Sequence, residues 1–167
     1  MEYSLDICKT LHGDHMATVR MLEDLEGGLS KIGRNNAPRE LSPELTELLS
    51  GLVSIMQTEI SSHFSFEEEN LFPRIEQIGD MPMLSILRGE HDTIRPLAEK
   101  LTAAVETVLA QGVTPETWVP VYDMGMELAE REVFHIQKEE MGFLPLLEQI
   151  LTPQDDQTLT VAFAAAK

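Results

Sequence analysis

The sequence predicts an all-α protein, an up-down-up-down four-helix bundle followed by a short C-terminal helical segment. Apolar residues recur at spacings of three and four along most of its 167 residues, and no segment shows the sustained alternation of a strand. Helix start and stop signals divide this pattern into four helices of about 30 residues joined by short turns. We expect the bundle over residues 1–151 and a short helix or tail over residues 152–167.

The first helix pair is expected over residues 3–78. Helix one covers residues 3–32 and stops at Gly33. Helix two begins after Ser42, because the hydroxyl can cap the helix and Pro43 suits the first helical position. It is expected to run to about residue 78, with a kink or a change of helix path at Pro73, which has no backbone N–H to donate.

The second helix pair repeats these signals. Helix three begins near residue 82 and ends at Gly112, and Thr114-Pro115 starts helix four in the same way that helix two starts. Thr152-Pro153 begins a last segment, which is expected to form at least one helical turn against the bundle or to fray.

Charge and composition limit the classes of partner. The chain has 29 acidic and 12 basic residues, a net charge of -17, so nucleic acid and anionic membranes would repel it. No apolar run reaches the roughly 20 residues that cross a bilayer, and the N-terminus shows no secretory signal pattern, so we expect a cytoplasmic protein. Cys8 is the only cysteine, which excludes an intrachain disulfide and a cluster of thiolate ligands.

A short motif with the spacing of metal ligands occurs twice. The segments His63–Glu68 and His135–Glu140 both read H-x-x-x-E-E, and each is followed at the same distance by proline and then by Glu-Gln-Ile. A histidine and a glutamate four residues apart lie on one helix face, roughly 6 Å apart along the axis, so both can reach one metal ion. Two copies therefore indicate a site with two halves.

Each motif is preceded by a matching histidine on the other helix of its pair. The segment Leu11–His15 corresponds to Leu87–His91, so the whole helix pair is repeated. Counting residues from the turns places all four histidines near one level of an antiparallel bundle, with both glutamates about one turn away. The candidate metal ligands are therefore His15, His63, Glu67, His91, His135 and Glu139.

The ligand types narrow the choice of metal. Imidazole and carboxylate without thiolate suit iron, manganese or zinc, and two carboxylates shared by two cations are typical of di-iron and di-manganese sites in helical bundles. By the repeat symmetry, one ion takes the two histidines of the first helix pair, the other takes those of the second pair, and the two glutamates bridge them. Positions then remain open for an oxo or hydroxo bridge, water, dioxygen, nitric oxide or peroxide.

The order H, H-x-x-x-E, H, H-x-x-x-E, with Leu71-Phe72-Pro73 after the first motif, resembles the hemerythrin-like (HHE cation-binding) domain over about residues 5–150. The resemblance implies a four-helix bundle with a non-haem di-iron centre held by the six candidate ligands. Oxygen-carrying hemerythrins have a histidine where this chain has Arg95, and a longer histidine-to-aspartate motif where it has His135 and Glu139. The pattern thus departs from that of dedicated oxygen carriers.

The same pattern is similar to the di-iron domain of bacterial proteins that repair iron centres after nitric oxide or oxidative stress. Those proteins commonly carry an additional cysteine-bearing N-terminal domain, so repair is one candidate among several.

We expect two iron ions, with manganese or zinc as alternatives, and binding of dioxygen, nitric oxide or peroxide in sensing, scavenging or stress response. The alternatives are iron storage and donation to damaged iron-sulfur centres, and a structural or interaction bundle with a degenerate or zinc-filled site. An oxidase-like, peroxidase-like or repair activity is left open, as are the oligomeric state and a redox or iron-acceptor protein as partner.

Three further residues near the motifs are assigned by position. His12 has Arg88 as its repeat counterpart, and we expect it at the surface or rim, with an outer or substitute ligand role as the alternative. Glu68 and Glu140 follow the ligand glutamates and point about 100° away from them, so we expect solvation or a salt bridge between helices rather than metal ligation.

Overall fold

Helices make up most of the structure, a computed structural model that describes residues 3–58, 62–79 and 81–166. No strand occurs in those ranges, which confirms the predicted all-α class, and none of their helices combines the length and apolarity needed to cross a bilayer. Continuity of helix two across residues 59–61 lies outside the described residues. In chain order the elements are α1 (Asp6–Ile32), α2 (Pro43–Thr58), α3 (Phe64–Phe66), π1 (Glu67–Leu71), α4 (Phe72–Glu76), α5 (Pro82–Gln111), α6 (Pro115–Lys138), π2 (Glu139–Phe143), α7 (Leu144–Ile150) and α8 (Pro153–Ala166), where π1 and π2 are π-helical.

Most ends of the long helices lie at the predicted residues, although α1 begins at Asp6 rather than at residue 3, and the helical path of the first motif ends at Glu76 rather than at residue 78. The Ser42 hydroxyl accepts a hydrogen bond of 3.2 Å from the backbone three residues on, and Thr114 caps α6 through a reciprocal pair of hydrogen bonds with Thr117. Gly33 and Gly112 close α1 and α5 with φ angles of 88° and 89°, a conformation that glycine adopts without steric cost.

Two apolar layers enclose a polar centre. α1 packs against α2 and α6, and α5 packs against the same two helices. Along α1, Leu11 belongs to one apolar cluster and Leu22 to the other, with His15 between them. α5 repeats this arrangement around His91. The two apolar layers therefore place His15 and His91 in the interior of the fold. The up-down-up-down order of the helices stays a prediction.

Each of the two H-x-x-x-E motifs is followed by a wide, π-helical turn that begins at its glutamate. The N–H of Phe72 bonds the carbonyl of Glu67, five residues back rather than four, and the equivalent N–H in the second motif bonds Glu139. Pro73 and Pro145 follow these turns; a proline has no N–H, and its ring presses on the carbonyl four residues back. A wider turn relieves that contact, and such turns are frequent at functional sites. The change of path expected at Pro73 takes this form, and it recurs in the second motif, where sequence analysis did not anticipate it.

The C-terminal segment is a helix that packs on α1. Leu159 and Phe163 on α8 are buried, and the Asp156 carboxylate accepts hydrogen bonds from the backbone N–H groups of Asp6 and Ile7 at 3.0 and 2.8 Å. These N–H groups belong to the first turn of α1 and have no partner within that helix. The last helix therefore caps the first one.

A glycine on α6 lies where a larger residue would overpack the core. A Cβ at Gly125 would lie 2.7 Å from Cδ1 of Leu29, which is fully buried. We expect Gly125→Ala to lower the free energy of unfolding by about 1–3 kcal/mol in urea denaturation. Gly89→Ala is the control, because its Cβ would meet open space and should stabilise α5 by about 0.5–1 kcal/mol. Equal effects of the two substitutions would contradict this packing.

Candidate metal centre

Six side chains converge in the interior, and they are the six that the sequence predicts as ligands. They form two groups of four, and within each group one possible ligand atom per residue lies within 4.8 Å of the others. Both glutamates belong to both groups, which is the arrangement that bridging requires. The first group is His15, His63, Glu67 and Glu139, and the second is Glu67, His91, His135 and Glu139.

The four imidazoles face one another in two pairs. In the first pair, His15 Nε2 lies 3.1 Å from His63 Nε2. In the second pair, His91 Nε2 lies 3.0 Å from His135 Nε2. All four rings are at most 2% exposed. Each half of the repeat therefore contributes one pair of nitrogen donors, as the repeat symmetry predicts.

Each glutamate divides its two oxygens between the histidine pairs. Glu139 places Oε2 3.1 Å from His15 Nε2 and Oε1 3.0 Å from His135 Nε2. Glu67 does the same with the other member of each pair, at 3.2 and 3.5 Å. A carboxylate that spans two sets of nitrogens in this way can bind one cation through each oxygen.

Hydrogen bonds on the outer side fix the tautomer of the imidazoles. His15 Nδ1 lies 2.7 Å from Glu140 Oε1, and His91 Nδ1 lies 2.7 Å from Glu68 Oε1. A carboxylate can only accept, so Nδ1 carries a proton, and in the neutral imidazole the lone pair lies on Nε2 and is aimed at the centre. Facing lone pairs about 3 Å apart repel each other unless a proton or a metal cation compensates them.

The outer carboxylates follow the repeat symmetry and join the two helix pairs. Glu68 and Glu140 each contact a histidine of the opposite helix pair. In each repeat, the acidic residue just before the first histidine lies beside the second histidine of the same repeat. Glu90 Oε2 is 3.0 Å from His135 Nδ1, and Asp14 Oδ2 is 3.8 Å from His63 Nδ1. Sequence analysis expected solvation or a salt bridge between helices for Glu68 and Glu140, and both do pair with residues of other helices. It did not anticipate that they also orient the imidazoles of the candidate ligands. The sequence did contain a signal for this role, because the acidic residue at position 68 is repeated at position 140.

Unsatisfied oxygens show that the donor set suits a metal. Both oxygens of Glu67 and Oε1 of Glu139 are buried and accept no hydrogen bond of normal geometry within the described residues. Burying a carboxylate without compensation costs several kcal/mol. Nitrogen and oxygen donors without sulfur suit iron, manganese or zinc. The residues present therefore fit metal cations.

His12 lies at the rim of the centre, as expected, and acts through Glu140. Its Nδ1 is 2.9 Å from Glu140 Oε2, and its side chain is 37% exposed. The Tyr3 hydroxyl donates to the same oxygen at 3.1 Å. Together they hold the carboxylate that orients His15. Sequence spacing gave no indication of the role of Tyr3.

Aromatic rings cover the imidazoles. Phe64 stacks on His91 with ring centroids 3.9 Å apart, and Phe163 from α8 meets His63 edge-on at 5.8 Å. Their burial separates the nitrogen donors from bulk water and strengthens the electrostatic interactions at the centre.

The charges of the cluster are balanced by protons when no metal is bound. Burial opposes the charge of His15, but hydrogen bonds with Glu139 and Glu140 outweigh it and raise its pKa to about 9. Burial also opposes the charge of His135, yet the neighbouring Glu139 raises that pKa to about 10. Burial and the negative charge of Glu139 raise the pKa of Glu67. Burial works against the charge of Glu139 too, but the charge of His135 lowers its pKa well below the usual range.

Fold and centre together define an all-helical, metal-binding protein with a buried cluster of histidine and glutamate. The chain belongs to the family of the hemerythrin HHE cation-binding domain, whose model matches residues 6–159. It is also similar to the iron-sulfur cluster repair protein YtfE of Escherichia coli strains K12 / DH10B and O1:K1 / APEC and of Shigella boydii serotype 18, each 29% identical over 119 residues. These matches cover 70% of this chain and 53% of each relative, so the chain spans about half the length of the curated relatives it matches.

Metal binding should release protons. With pKa values of about 9 and 10, His15 and His135 are protonated at pH 7 and must lose a proton before Nε2 can bind a cation. We expect zinc binding at pH 7 to release about two protons or more per chain, measured with a pH indicator in weak buffer. Between pH 7 and pH 9 the release should fall, because a growing share of these imidazoles is then neutral before zinc binds. A release that does not depend on pH would contradict this charge balance.

Proposed function

We propose that this chain is a non-haem di-iron protein of the stress response, folded as an up-down-up-down bundle over residues 1–151 with a C-terminal helix, and active in the cytoplasm. The observation that carries the proposal is the position of Glu67 and Glu139, which divide their oxygens between two histidine pairs. Two shared carboxylates in a helical bundle are typical of di-iron and di-manganese sites. Manganese and zinc suit the same donors.

In this proposal each residue type has a separate task. Each histidine pair would hold one ion, and Glu67 and Glu139 would each offer one oxygen to either ion. Two bound iron ions supply redox chemistry and positions for a small ligand. The outer carboxylates keep the Nδ1 protons in place, so that the Nε2 atoms stay directed at the ions. Phe64 and Phe163 limit the access of water.

The ligand proposed for the centre is dioxygen, nitric oxide or peroxide. Two nitrogens and two oxygens from the protein leave coordination positions for such a molecule on each ion. A cavity of about 120 Å³ lies beside His63, with Ala17, Ile55 and Phe163 among its walls. This volume is below the roughly 300–1,000 Å³ of pockets that hold drug-sized ligands, which favours a ligand of few atoms.

A second function, iron donation to damaged iron-sulfur centres, is favoured by the similarity to the iron-sulfur cluster repair protein YtfE. The partner would then be an iron-sulfur protein that has lost iron. The two functions are compatible, because the same pair of ions can take a small ligand in one state and be passed on in another.

Iron stoichiometry tests the proposed centre. Anaerobic loading with ferrous iron should give two iron ions per chain, and air oxidation should give the near-ultraviolet absorbance of an oxo-bridged ferric pair. His63→Ala and His135→Ala should each hold about one ion and the double variant none, because each removes a nitrogen donor from one ion. Arg131→Gln, which removes an exposed positive charge paired with Glu127, should keep both. A double variant with wild-type metal content and stability would instead support a structural bundle.

Iron transfer tests the second function. Iron-loaded protein is mixed with an apo iron-sulfur protein and sulfide, and cluster formation is followed by absorbance. Donation predicts that clusters form, and that they form faster in direct contact than when a dialysis membrane separates the two proteins. Equal rates would show that only released iron is used, and full retention of iron would exclude donation.

A further inference from the structure

The carboxylates behind the two histidine pairs have different outer partners. Behind the first pair, Glu140 receives hydrogen bonds from the Tyr3 hydroxyl and from the ring nitrogen of His12. Among the residues that the structure describes, no lysine or arginine forms an ion pair with Glu140. The negative charge behind His15 is therefore held by neutral or weakly basic groups.

Two permanently charged side chains, Arg95 and Lys138, contact the carboxylates of the second histidine pair. Arg95 Nη2 lies 2.9 Å from Glu68 Oε1, the oxygen that holds His91. Lys138 Nζ lies 2.7 Å from Glu90 Oε1, and the other oxygen of Glu90 holds the second histidine of the pair. Glu68 and Glu90 are only 28% exposed, so water screens these interactions less than at an open surface.

This difference is a break in the internal repeat. Arg95 lies four residues after the first histidine of its repeat, and the equivalent residue in the first repeat is Val19. Lys138 lies three residues after the second histidine, and its counterpart is Phe66. The carboxylates are repeated, but the positions equivalent to Arg95 and Lys138 carry uncharged side chains in the first repeat.

We propose that the two metal positions differ in affinity, and that the position of His15 and His63 binds a divalent cation first and holds it more tightly. Each cation behind the second pair repels a metal ion and weakens the carboxylate that raises the basicity of the imidazole. At a distance of about 10 Å and an effective dielectric constant near 40, between the values for a protein surface and for bulk water, one such charge changes the affinity for a divalent ion by about tenfold. The ion at His91 and His135 is consequently the one released first. The inference rests on the proposed two-cation centre, and it names the ion available for donation.

Cobalt titration tests the inference, because bound Co²⁺ absorbs visible light and a competing chelator sets its free concentration. The wild-type protein should take up two Co²⁺ ions in two resolved steps. His63→Ala should abolish the tight step, and His135→Ala should abolish the weak one.

Substitution of the cations should act on the weak step. Arg95→Gln and Lys138→Gln should each tighten it about tenfold and change the tight step by no more than about threefold. Arg131→Gln is the matched control: it removes one positive charge from α6, but the side chain is 47% exposed and pairs with Glu127. It should change either step by no more than about twofold.

Several results would overturn the inference. Loss of the tight step in His135→Ala, equal affinities in the wild-type protein, or equal tightening of both steps by Arg95→Gln would each contradict it. A tenfold tighter first step in His12→Gln would show that His12 supplies the missing positive charge. Uptake of a single Co²⁺ ion would instead contradict the two-cation centre itself, so the two failures are distinguishable.

Discussion

The constraint on which the structure depends is the burial of six ionisable side chains at one level of a helical fold. An isolated charge in such a position costs several kcal/mol, and breaking a buried pair costs about 3–5 kcal/mol. The fold meets this cost with carboxylates at both ring nitrogens of the imidazoles, inner ones at Nε2 and outer ones at Nδ1. The two apolar layers above and below the centre keep water out, which makes every one of these interactions stronger.

The outer carboxylates make the centre a connection between the two halves of the protein. Glu68 belongs to the first repeat and holds His91 of the second, while Glu140 belongs to the second and holds His15 of the first. Neither half can place its donors correctly without the other. Metal affinity and the docking of the two helix pairs are therefore linked, because a cation binds only the arrangement in which both halves are in contact.

Sequence reasoning found those features that depend on a single helix. A histidine and a glutamate four residues apart, a capping hydroxyl before proline, and a glycine after the last turn are all local signals, and the structure contains them. The outer partners could not be found in this way, since periodicity gives the face of a helix but not the neighbour that the face meets. The contact between Tyr3 and Glu140 joins residues 137 positions apart. The wide turns were missed because a proline within a helical pattern predicts a break, whereas here the helix accommodates it.

Each π-helical turn limits which insertions and deletions this sequence can tolerate. A π turn holds one residue more than the α-helical turn it replaces, so it behaves as a single-residue insertion that was retained. Deleting one residue between Glu67 and Leu71 would restore regular spacing, but it would rotate the rest of the helix by about 100°. Phe72 and Ile75, both fully buried, would then turn out of the core. The length of this segment is consequently fixed from both ends, by the candidate ligand Glu67 before it and by the apolar layer after it.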